Sequence, residues 1–439
     1  MKKSSNISCG TGDTSRQRAR ADEDTHPTPF YQTSQEIANV NLRIVHFSKT
    51  PLAGGPYRLV RLLQKHTNYN VRLVDLERWG QYPHDVVHSE TPEETLDLVE
   101  KADIIHFHNY LDYNSKDFVS VDFNSLRQKG TAFVRQFRSE PNLVANVMGI
   151  SVSELLASPI PSIVIAQYPE RFYPAARVVP NAIPTEDPEY CPTFEELSTD
   201  ILFSPTKSIS AWQERWNTKG APETIEIMQQ VARLTGCTTK VISGRPLAEV
   251  LSEKRKAQII LDDLVTGSYH ISGVEAMCLG KAVLSYLDSR TELLLQELTG
   301  SKICPFINVR LEDAREVLMY LLKHPEEAVS IGKAGREWID LYWCERMIVQ
   351  HYVDVYEKLL CDPALVCRQD ALRLDTPKAH FTAIILPDIV YEARTKRAHG
   401  SVPIWRRIGK KLQQHLSRLS QRIRDAILRR LPIEFAYKL

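Results

Sequence analysis

Short apolar runs alternate with segments of helical spacing, and this alternation occurs twice along the chain. A strand, a helix and another strand give a parallel sheet covered on both faces, and the strands of such a sheet are continuous apolar runs. Each half of the chain therefore predicts its own doubly wound α/β domain, and 439 residues are enough for two. The predicted strands are 42–47, 71–76, 102–109, 131–137 and 161–167 in the first half, and 200–206, 239–244, 258–264 and 281–287 in the second.

Proline content and charge mark the limits of these domains. Residues 1–40 are polar and charged with few apolar positions, which is typical of a disordered arm. The stretch Arg177–Pro192 is dense in proline, as linkers between domains are. We therefore assign 41–178 to a first domain, 179–199 to the linker, 200–361 to a second domain and 362–439 to a C-terminal extension.

Composition excludes several classes of protein. Hydrophobic residues make up 43% and charged residues 25%, which are ordinary values for a soluble globular chain and exclude a disordered or repetitive one. No uncharged apolar run approaches the roughly 18 residues of a membrane-spanning helix. The eight cysteines contain no C-x-x-C pair, and the N-terminus has no apolar signal-peptide segment. We expect a cytoplasmic protein with free thiols.

The segment 403–431 carries much of the positive charge. It holds nine Lys or Arg residues and one acid, although the whole chain has a net charge of +1, so the remainder is mildly acidic. Apolar residues recur here at a mean spacing of about 3.67 residues, which places them on one face of a helix. They are Trp405, Ile408, Leu412, Leu416, Leu419, Ile423 and Ile427.

A basic amphipathic helix of this kind is typical of a peripheral anchor on an anionic membrane, here the inner face. Packing of the helix on the acidic body of the protein is the alternative. Nucleic-acid binding comes third, because no recognised binding motif accompanies the basic residues.

Five short motifs follow one another along residues 42–360. They are Gly54-Gly55 after the first strand, His106-x-His108 at the end of the third, VVPNAIP in the linker, Lys219-Gly220, and VEAMCLGKAV from Val274 to Val283. In these motifs the chain resembles the retaining, nucleotide-sugar-dependent glycosyltransferases of the GT-B fold, in the glycogen-synthase-like, family-4-like group.

The resemblance implies two Rossmann-like domains, the first for the acceptor and the second for the nucleotide sugar. It also implies transfer of a sugar, typically a hexose, from a nucleotide-diphosphate donor to a hydroxyl of a saccharide or lipid-linked acceptor, as in polysaccharide biosynthesis. No metal and no cofactor are expected.

Lys219 matches the lysine that contacts the donor diphosphate in this family. The departing diphosphate gains negative charge, which without a metal must be stabilised by cations and backbone N–H groups. Lys219 also precedes a predicted helix, whose N-terminus adds partial positive charge. A second cation is expected upstream, and Lys207 and Arg215 both remain open for that role. The plain alternative is an exposed surface lysine, whose loss would hardly affect folding.

Glu275 matches the second glutamate of the family's E-x7-E pattern, which accepts hydrogen bonds from the ribose. The first glutamate is replaced by Gly267. Tyr269 matches a tyrosine that some branches of the group carry in this loop, and we assign Tyr269 and His270 to the donor site. Because the first glutamate normally acts near the donor sugar, its loss makes a non-catalytic, saccharide- or partner-binding protein of the same fold the alternative function.

Glycines and histidines follow the first-half strands. Gly54 and Gly55 permit close approach of the backbone to a phosphate or sugar and are assigned to the donor site, with an ordinary turn as the alternative. Strand alternation places His106 and His108 on one face. The resemblance puts a histidine near the reacting sugar, and we favour His108 as catalytic, with His106 and Asn109 at the acceptor. Two histidines at this spacing suit a metal, but the sequence shows no third ligand nearby.

Overall fold

Two parallel β-sheets form the framework of the described part of the chain. The structure is a computed structural model, and it describes residues 41–193, 195–205, 208–212 and 219–369, together with 381, 385 and 389. The predicted arm 1–40, the basic segment 403–431, Lys207 and Arg215 lie outside the described residues.

The first sheet has seven strands. They are β1 (Arg43–Ser48), β2 (Asn70–Asp75), β3 (Val86–Val87), β4 (Ile104–His108), β5 (Ala132–Phe137), β6 (Ser162–Ile165) and β7 (Arg177–Val179). Their order is β3-β2-β1-β4-β5-β6-β7, and every pair is parallel. The chain thus reverses its direction of travel across the sheet between β1 and β4, at a topological switch point.

The second sheet has five strands. They are β8 (Thr199–Phe203), β9 (Thr239–Val241), β10 (Ala257–Leu261), β11 (Ala282–Ser285) and β12 (Ile307–Asn308). Their order is β12-β11-β10-β8-β9, again all parallel, with the switch point between β8 and β10. The predicted α/β class with two doubly wound, Rossmann-like sheets is confirmed.

Thirteen α-helices of the described residues connect and cover these strands. They are α1 (Gly55–His66), α2 (Pro92–Glu100), α3 (Phe123–Gln128), α4 (Pro141–Met148), α5 (Val152–Leu156), α6 (Ala221–Thr235), α7 (Leu247–Arg255), α8 (Ile271–Cys278), α9 (Ser289–Thr299), α10 (Ala314–Lys323), α11 (Pro325–Tyr342), α12 (Glu345–Cys361) and α13 (Pro363–Val366). Among the described residues no helix combines the length and the apolar character that a membrane span requires.

Side chains of each central strand alternate between two apolar layers. In β4, Ile105 and Phe107 pack with Phe123 on one face, whereas Ile104 belongs to the layer on the other face. His106 and His108 stack on each other, as the predicted alternation requires. Helices cover both faces of each sheet, so the strands are buried almost throughout. This is why their sequences are continuous apolar runs.

Two elements lie where the sequence pattern did not place them. The proline-dense stretch begins with a strand, because its first residues form β7 and pair with β6. Helix α12 follows the second sheet in the chain but packs on the first, against α1, β5 and β7. Its Tyr352 hydroxyl accepts a hydrogen bond from Gln136 Nε2 at 2.8 Å. The chain therefore returns to the first sheet after completing the second.

Close contact between α11 and the turn after α8 predicts that Gly332 cannot be enlarged. A Cβ on Gly332 would lie 2.1 Å from the carbonyl oxygen of Gly280, a backbone atom that cannot rotate away. On Gly335 of the same helix, the nearest atom would be Cγ of Met277 at 3.6 Å. Gly332→Ala should therefore lower the free energy of unfolding by about 1–3 kcal/mol.

Gly335→Ala is the matched control. It should leave stability unchanged or raise it by up to about 1 kcal/mol, because alanine has the higher helix propensity. Urea denaturation measures both, and equal stabilities of the two variants would contradict the close packing of α11 on Gly280.

Candidate functional site

The carboxyl ends of the two sheets face each other, and hydrogen bonds cross between them. Gln167, which follows β6, donates from Nε2 to the carbonyl oxygen of Tyr269 at 2.7 Å, and the Tyr269 hydroxyl donates to the carbonyl of Ala166. Arg171 forms a bidentate ion pair with Asp288, at 2.7 and 3.0 Å. Both switch points open on this region, which is where sheets of this kind bind ligands.

Glu275 is the centre of a buried ion triad at this junction. Its Oε1 lies 2.5 Å from Nη2 of Arg58 on α1, and its Oε2 lies 2.6 Å from Nζ of Lys254 on α7. Burial raises the pKa of Glu275, but the charges of Lys254 and Arg58 outweigh burial and hold that pKa below its ordinary value. The carboxylate predicted to bind ribose is thus placed at the junction of the two halves, with both of its oxygens already engaged.

Lys219 precedes α6 and is also buried and paired. Its Nζ donates to Oδ1 of Asp262 at 2.6 Å, and only 4% of the residue is exposed. The alternative of an exposed surface lysine is therefore wrong, because Asp262 at the end of β10 draws the ammonium inward. The other oxygen of Asp262 accepts the backbone N–H of His270 at 2.6 Å.

Asp263 organises the loop that carries Tyr269 and His270. Its Oδ1 accepts the backbone N–H groups of Val265 and Thr266, and its Oδ2 lies 3.0 Å from Nε2 of His270. Burial raises the pKa of Asp263, but hydrogen bonds and charge from His270 outweigh it, so the pKa is lowered. His270 is therefore held at this carboxylate, while Tyr269 is buried and bonded to the first half.

Gly267 stands where the family pattern has its first glutamate, and the local backbone suits glycine. Its φ of +84° lies in the left-handed region that L side chains rarely adopt. A Cβ here would lie 3.1 Å from Cβ of Asp288. The Gly267 carbonyl accepts from the Asp288 N–H at 2.9 Å and from the Thr291 hydroxyl at 2.8 Å. A glutamate would be strained at this position and would face the carboxylate of Asp288.

Gly54 and Gly55 begin α1, directly after the first strand and its loop. Gly54 has a φ of +73°, and a Cβ there would lie 2.6 Å from the ring of Tyr82. A Cβ on Gly55 would lie 2.2 Å from Nη1 of Arg138. The left-handed backbone favours glycine at position 54, and Gly55 leaves room for a guanidinium at the N-terminus of the helix.

Three histidines form a buried stack at the first switch point. His46 on β1 stacks beside both β4 histidines, with Nδ1 at 3.0 Å from Nε2 of His108. The Tyr356 hydroxyl of α12 lies 2.9 Å from Nδ1 of His106 and 3.2 Å from Nε2 of His46. His106 Nε2 and His108 Nδ1 have no hydrogen-bond partner within the described residues.

The third histidine supplies the ligand that the sequence did not reveal. One ring nitrogen of each histidine lies within 4.8 Å of those of the other two, so the three could hold a metal ion. The rings are nearly parallel, with interplanar angles of 25°, 26° and 15° and ring centroids 4.4 to 5.3 Å apart. Hydrogen bonding to a substrate is the other role open to these nitrogens.

Several residues of the site escaped the sequence patterns. They are His46, Arg58, Arg138, Asn181, Lys254, Asp262 and Asp263. One signal was present for the two aspartates, since paired acids directly after a buried strand lie at the carboxyl edge of a parallel sheet. The others are brought in by contacts between distant elements. Asn109, which the sequence assigns to the acceptor, accepts the backbone N–H of Arg138 through Oδ1 at 2.7 Å.

No protein-family model and no curated protein sequence matches the chain. The chain is similar in structure to sucrose-phosphate synthase from Thermosynechococcus elongatus, with a TM-score of 0.46 and 14% identity over 73% of this chain and 100% of that chain. For HepE from Anabaena, in complex with UDP and glucose, the TM-score is 0.48 and the identity 11%, over 72% of this chain and 100% of that chain. For a glycosyltransferase from Rickettsia africae the TM-score is 0.47 and the identity 10%, over 73% of this chain and 99% of that chain. Because these TM-scores are below 0.5, function must be inferred from the side chains of this chain.

The histidine stack predicts a loss of stability in acid. Burial, reinforced by the charge of Arg138, lowers the pKa of His46 to about 3, and burial lowers the pKa values of His106 and His108 well below their ordinary value. Below about pH 6.5 the unfolded chain therefore binds more protons than the folded one, and the free energy of unfolding falls with pH by up to about 1.4 kcal/mol per unit and histidine.

Urea denaturation between pH 7.5 and 5 measures this slope. His106→Gln should reduce it by about one proton, whatever its effect on stability at pH 7.5. The exposed His324 offers the control, and His324→Gln should keep the wild-type slope. A slope unchanged in His106→Gln would show that the stack does not resist protonation.

Proposed function

We propose that this chain is a metal-independent, retaining glycosyltransferase that moves a sugar, typically a hexose, from a nucleotide-diphosphate donor to a hydroxyl of a saccharide or lipid-linked acceptor. The observation that carries the proposal is an excess of buried positive charge between the facing carboxyl ends of two doubly wound sheets. The motifs of the resemblance converge on the same place. The proposed location is the cytoplasm.

The charges can be followed pair by pair. Three buried cations share two carboxylates: Arg58 and Lys254 both pair with Glu275, and Lys219 pairs with Asp262. Uncompensated charge away from water is costly, so this cluster favours an anionic ligand. A nucleoside diphosphate is an anion of the required kind.

In the proposed mechanism, Lys219 exchanges Asp262 for the donor diphosphate. The N-terminus of α6 lies next to this lysine and adds partial positive charge. As the bond between the anomeric carbon and the phosphate oxygen breaks, these groups stabilise the charge that develops on the diphosphate. Glu275 correspondingly turns from its cations to the ribose hydroxyls, in the role that the resemblance implies.

The acceptor hydroxyl attacks the anomeric carbon from the face that the diphosphate leaves. Its oxygen forms the new bond to the anomeric carbon, and its proton passes to the departing phosphate oxygen. His108 is neutral at pH 7, because burial lowers its pKa, and its Nδ1 has no partner within the described residues. We assign this nitrogen to a hydrogen bond with a sugar hydroxyl, which would orient the reacting groups.

The test begins with a thermal-shift panel of nucleoside diphosphates, since a ligand of the folded state alone raises stability by mass action. Transfer is then measured with the nucleotide sugars of the base that binds. Removing Lys219 alone would leave the buried Asp262 uncompensated, so the informative variant is Lys219→Met combined with Asp262→Asn. This neutral pair should stay folded but lose about two to three orders of magnitude in turnover, the scale for one lost electrostatic group.

Asp262→Asn alone is the control. It keeps the lysine and should lose much less activity than the double variant. Turnover of the double variant at the level of Asp262→Asn would exclude Lys219 from the stabilisation of the leaving group.

Gly267 supports a second candidate function. With no acid at this position, and with Glu275 already ion-paired, the same junction would suit a protein that binds a nucleotide sugar or saccharide without transfer. The two candidates differ in one measurement. Nucleotide binding without transfer or hydrolysis, across a panel of acceptors, would favour the binding protein.

We also propose that the segment 403–431 binds anionic membrane surfaces; the proposal rests on its sequence pattern. Each Lys or Arg near such a surface contributes about 1 kcal/mol, and the apolar series adds an unscreened term. Deleting 402–439 should abolish co-flotation with phosphatidylserine vesicles while leaving transfer to a soluble acceptor intact. Replacement of three apolar residues by Ser, at Ile408, Leu412 and Leu419, should weaken vesicle binding even at low salt.

The alternatives predict different results. If the segment packs on the acidic body, the deletion lowers the melting temperature and the full chain does not bind vesicles. If it binds nucleic acid, duplex DNA competes with the vesicles at equal salt. Either result would exclude the membrane anchor.

A further inference from the structure

Arg138 lies at the carboxyl end of β5 and reaches the N-terminus of α1. Its Nη1 sits against Gly55, where a Cβ would lie only 2.2 Å away. Asn109 fixes the backbone at this point, accepting the Arg138 N–H at 2.7 Å and donating to Ser139 Oγ at 2.9 Å. Asn109 itself has a φ of +53°, a sparsely populated conformation for a residue other than glycine. The local backbone is therefore held so that this arginine points at the start of the helix.

The guanidinium of Arg138 has one occupied side and one free edge. Nη1 donates to Oδ1 of Asn181 at 3.2 Å. Nε and Nη2 are shielded from water and have no partner within the described residues, and neither has Nδ2 of Asn181, a residue that is 1% exposed. Nε and Nη2 together form the fork of a guanidinium that receives two oxygens of one oxyanion.

The charge around this edge is one-sided. The N-terminus of α1 carries partial positive charge, so it repels the guanidinium beside it. Burial, followed by the nearby charge of Arg58, lowers the pKa of Arg138 to about 10, and at neutral pH the group is still protonated. By contrast, Arg171 has a bidentate carboxylate partner at the same junction. The missing component at Arg138 is an anion.

Arg138 has other neighbours than the lysines assigned to the donor. They are Gly55 and Asn109 of the first half, Asn181 of the linker and Tyr352 of α12. Lys219 and Lys254 lie on the second half, before α6 and on α7, and Arg58 of α1 is held by Glu275. This inference rests on the proposed function and moves Gly55, assigned to the donor from the sequence, to the acceptor, so that the free edge of Arg138 is available to the second substrate.

We propose that Arg138, Nδ2 of Asn181 and the N-terminus of α1 bind the phosphate group of a phosphorylated acceptor. A phosphate ester offers two oxygens to the guanidinium fork and a third to the amide, and its charge suits a helix N-terminus. The acceptor is thus a sugar phosphate or a phosphate-bearing saccharide, held by its phosphate with a hydroxyl directed to the junction.

Calorimetric titration of the full chain tests this proposal with inorganic phosphate, glucose 6-phosphate, glucose, glucuronate and UDP as probes. The wild type should bind phosphate and glucose 6-phosphate, and should bind glucose and glucuronate far more weakly. Arg138→Gln should weaken both phosphate probes roughly 10- to 100-fold, the range for a hydrogen bond to a charged group. Its affinity for UDP should stay within about threefold of wild type, because the donor cations remain.

Arg135→Gln is the matched control, since Arg135 is a buried arginine on the same strand that bonds the carbonyl of Leu155 instead. It should leave phosphate binding unchanged. If Arg138→Gln does not fold, Arg138→Lys, which keeps the charge but not the fork, should still weaken glucose 6-phosphate binding, and Asn181→Ala should do the same.

Four results would overturn the proposal. The first two are failure of the wild type to bind the phosphate probes and unchanged binding of these probes by the folded Arg138 variants. The third is a parallel loss of UDP affinity, which would assign Arg138 to the donor. The fourth is a preference for glucuronate, which would make the ligand group a carboxylate and not a phosphate. Phosphate binding through Arg138 without any nucleotide binding would instead contradict the proposed transferase and leave the anion site intact.

Discussion

The buried contact between Arg58 and Glu275 holds the whole junction in place. One guanidinium on α1 reaches the carboxylate on α8, the hydroxyl of Tyr190 in the linker at 3.1 Å, and the carbonyl of Ala53 at 2.7 Å. These contacts join the first sheet, the connection between the halves and the second sheet through a single side chain. Because the carboxylate is also bonded to Lys254, loss of Glu275 would leave two buried cations without their carboxylate, at a cost of about 3–5 kcal/mol.

This triad also explains why the loop before α1 can hold an unusual backbone. Leu52, Ala53 and Gly54 have φ values of +45°, +54° and +73°, and two of them are not glycine. Each such residue costs about 1 kcal/mol or more unless its surroundings impose the conformation. The bond from Arg58 to the Ala53 carbonyl imposes it here. This strained loop places the glycines at the start of α1 against Tyr82 and Arg138. The geometry of the proposed anion site therefore depends on Arg58.

The sequence pattern was sufficient for the sheets and insufficient for the pairs between them. Strands such as β4 were recognisable because burial on both faces makes them continuously apolar, and the end of α6 was marked by Gly236, which adopts the left-handed conformation there. The partners of Glu275 and Lys219 lie 217, 21 and 43 residues away. No local pattern encodes such distances. This is why an exposed surface lysine remained the alternative for Lys219 in the sequence.

The same reasoning separates the two histidines of the motif from the third. Alternation along β4 was enough to place His106 and His108 on one face, whereas His46 joins them only because β1 and β4 are neighbours in register. Short strands at the edge of a sheet were also missed, since two or three residues such as those of β3 and β7 give no periodicity to detect. Residue positions along one helix or strand were therefore predictable from the sequence. Contacts that arise only when two elements pack together were not.

The polar groups of the junction are paired mainly with one another, which constrains how a ligand enters. Lys219 must leave Asp262 before it can face a diphosphate, and Glu275 must turn from Arg58 or Lys254 before it can accept a ribose hydroxyl. Each exchange replaces one charged hydrogen bond by another, so its net cost is small if the ligand supplies an equivalent partner. The contacts that cross the junction elsewhere, such as Arg171 with Asp288, have no such replacement and would keep the halves together.

In the proposed function, binding of a donor would rearrange charges within the junction, and the free edge of Arg138 would take no part in this exchange. This edge has no partner among the residues that the structure describes, so an anion there would displace no carboxylate of this part of the chain. The first half therefore offers an anion a preformed site. On the second half, an anion must replace a carboxylate that is already paired. A second substrate held on the first half would then limit how water reaches the diphosphate, which is the condition under which transfer outcompetes hydrolysis.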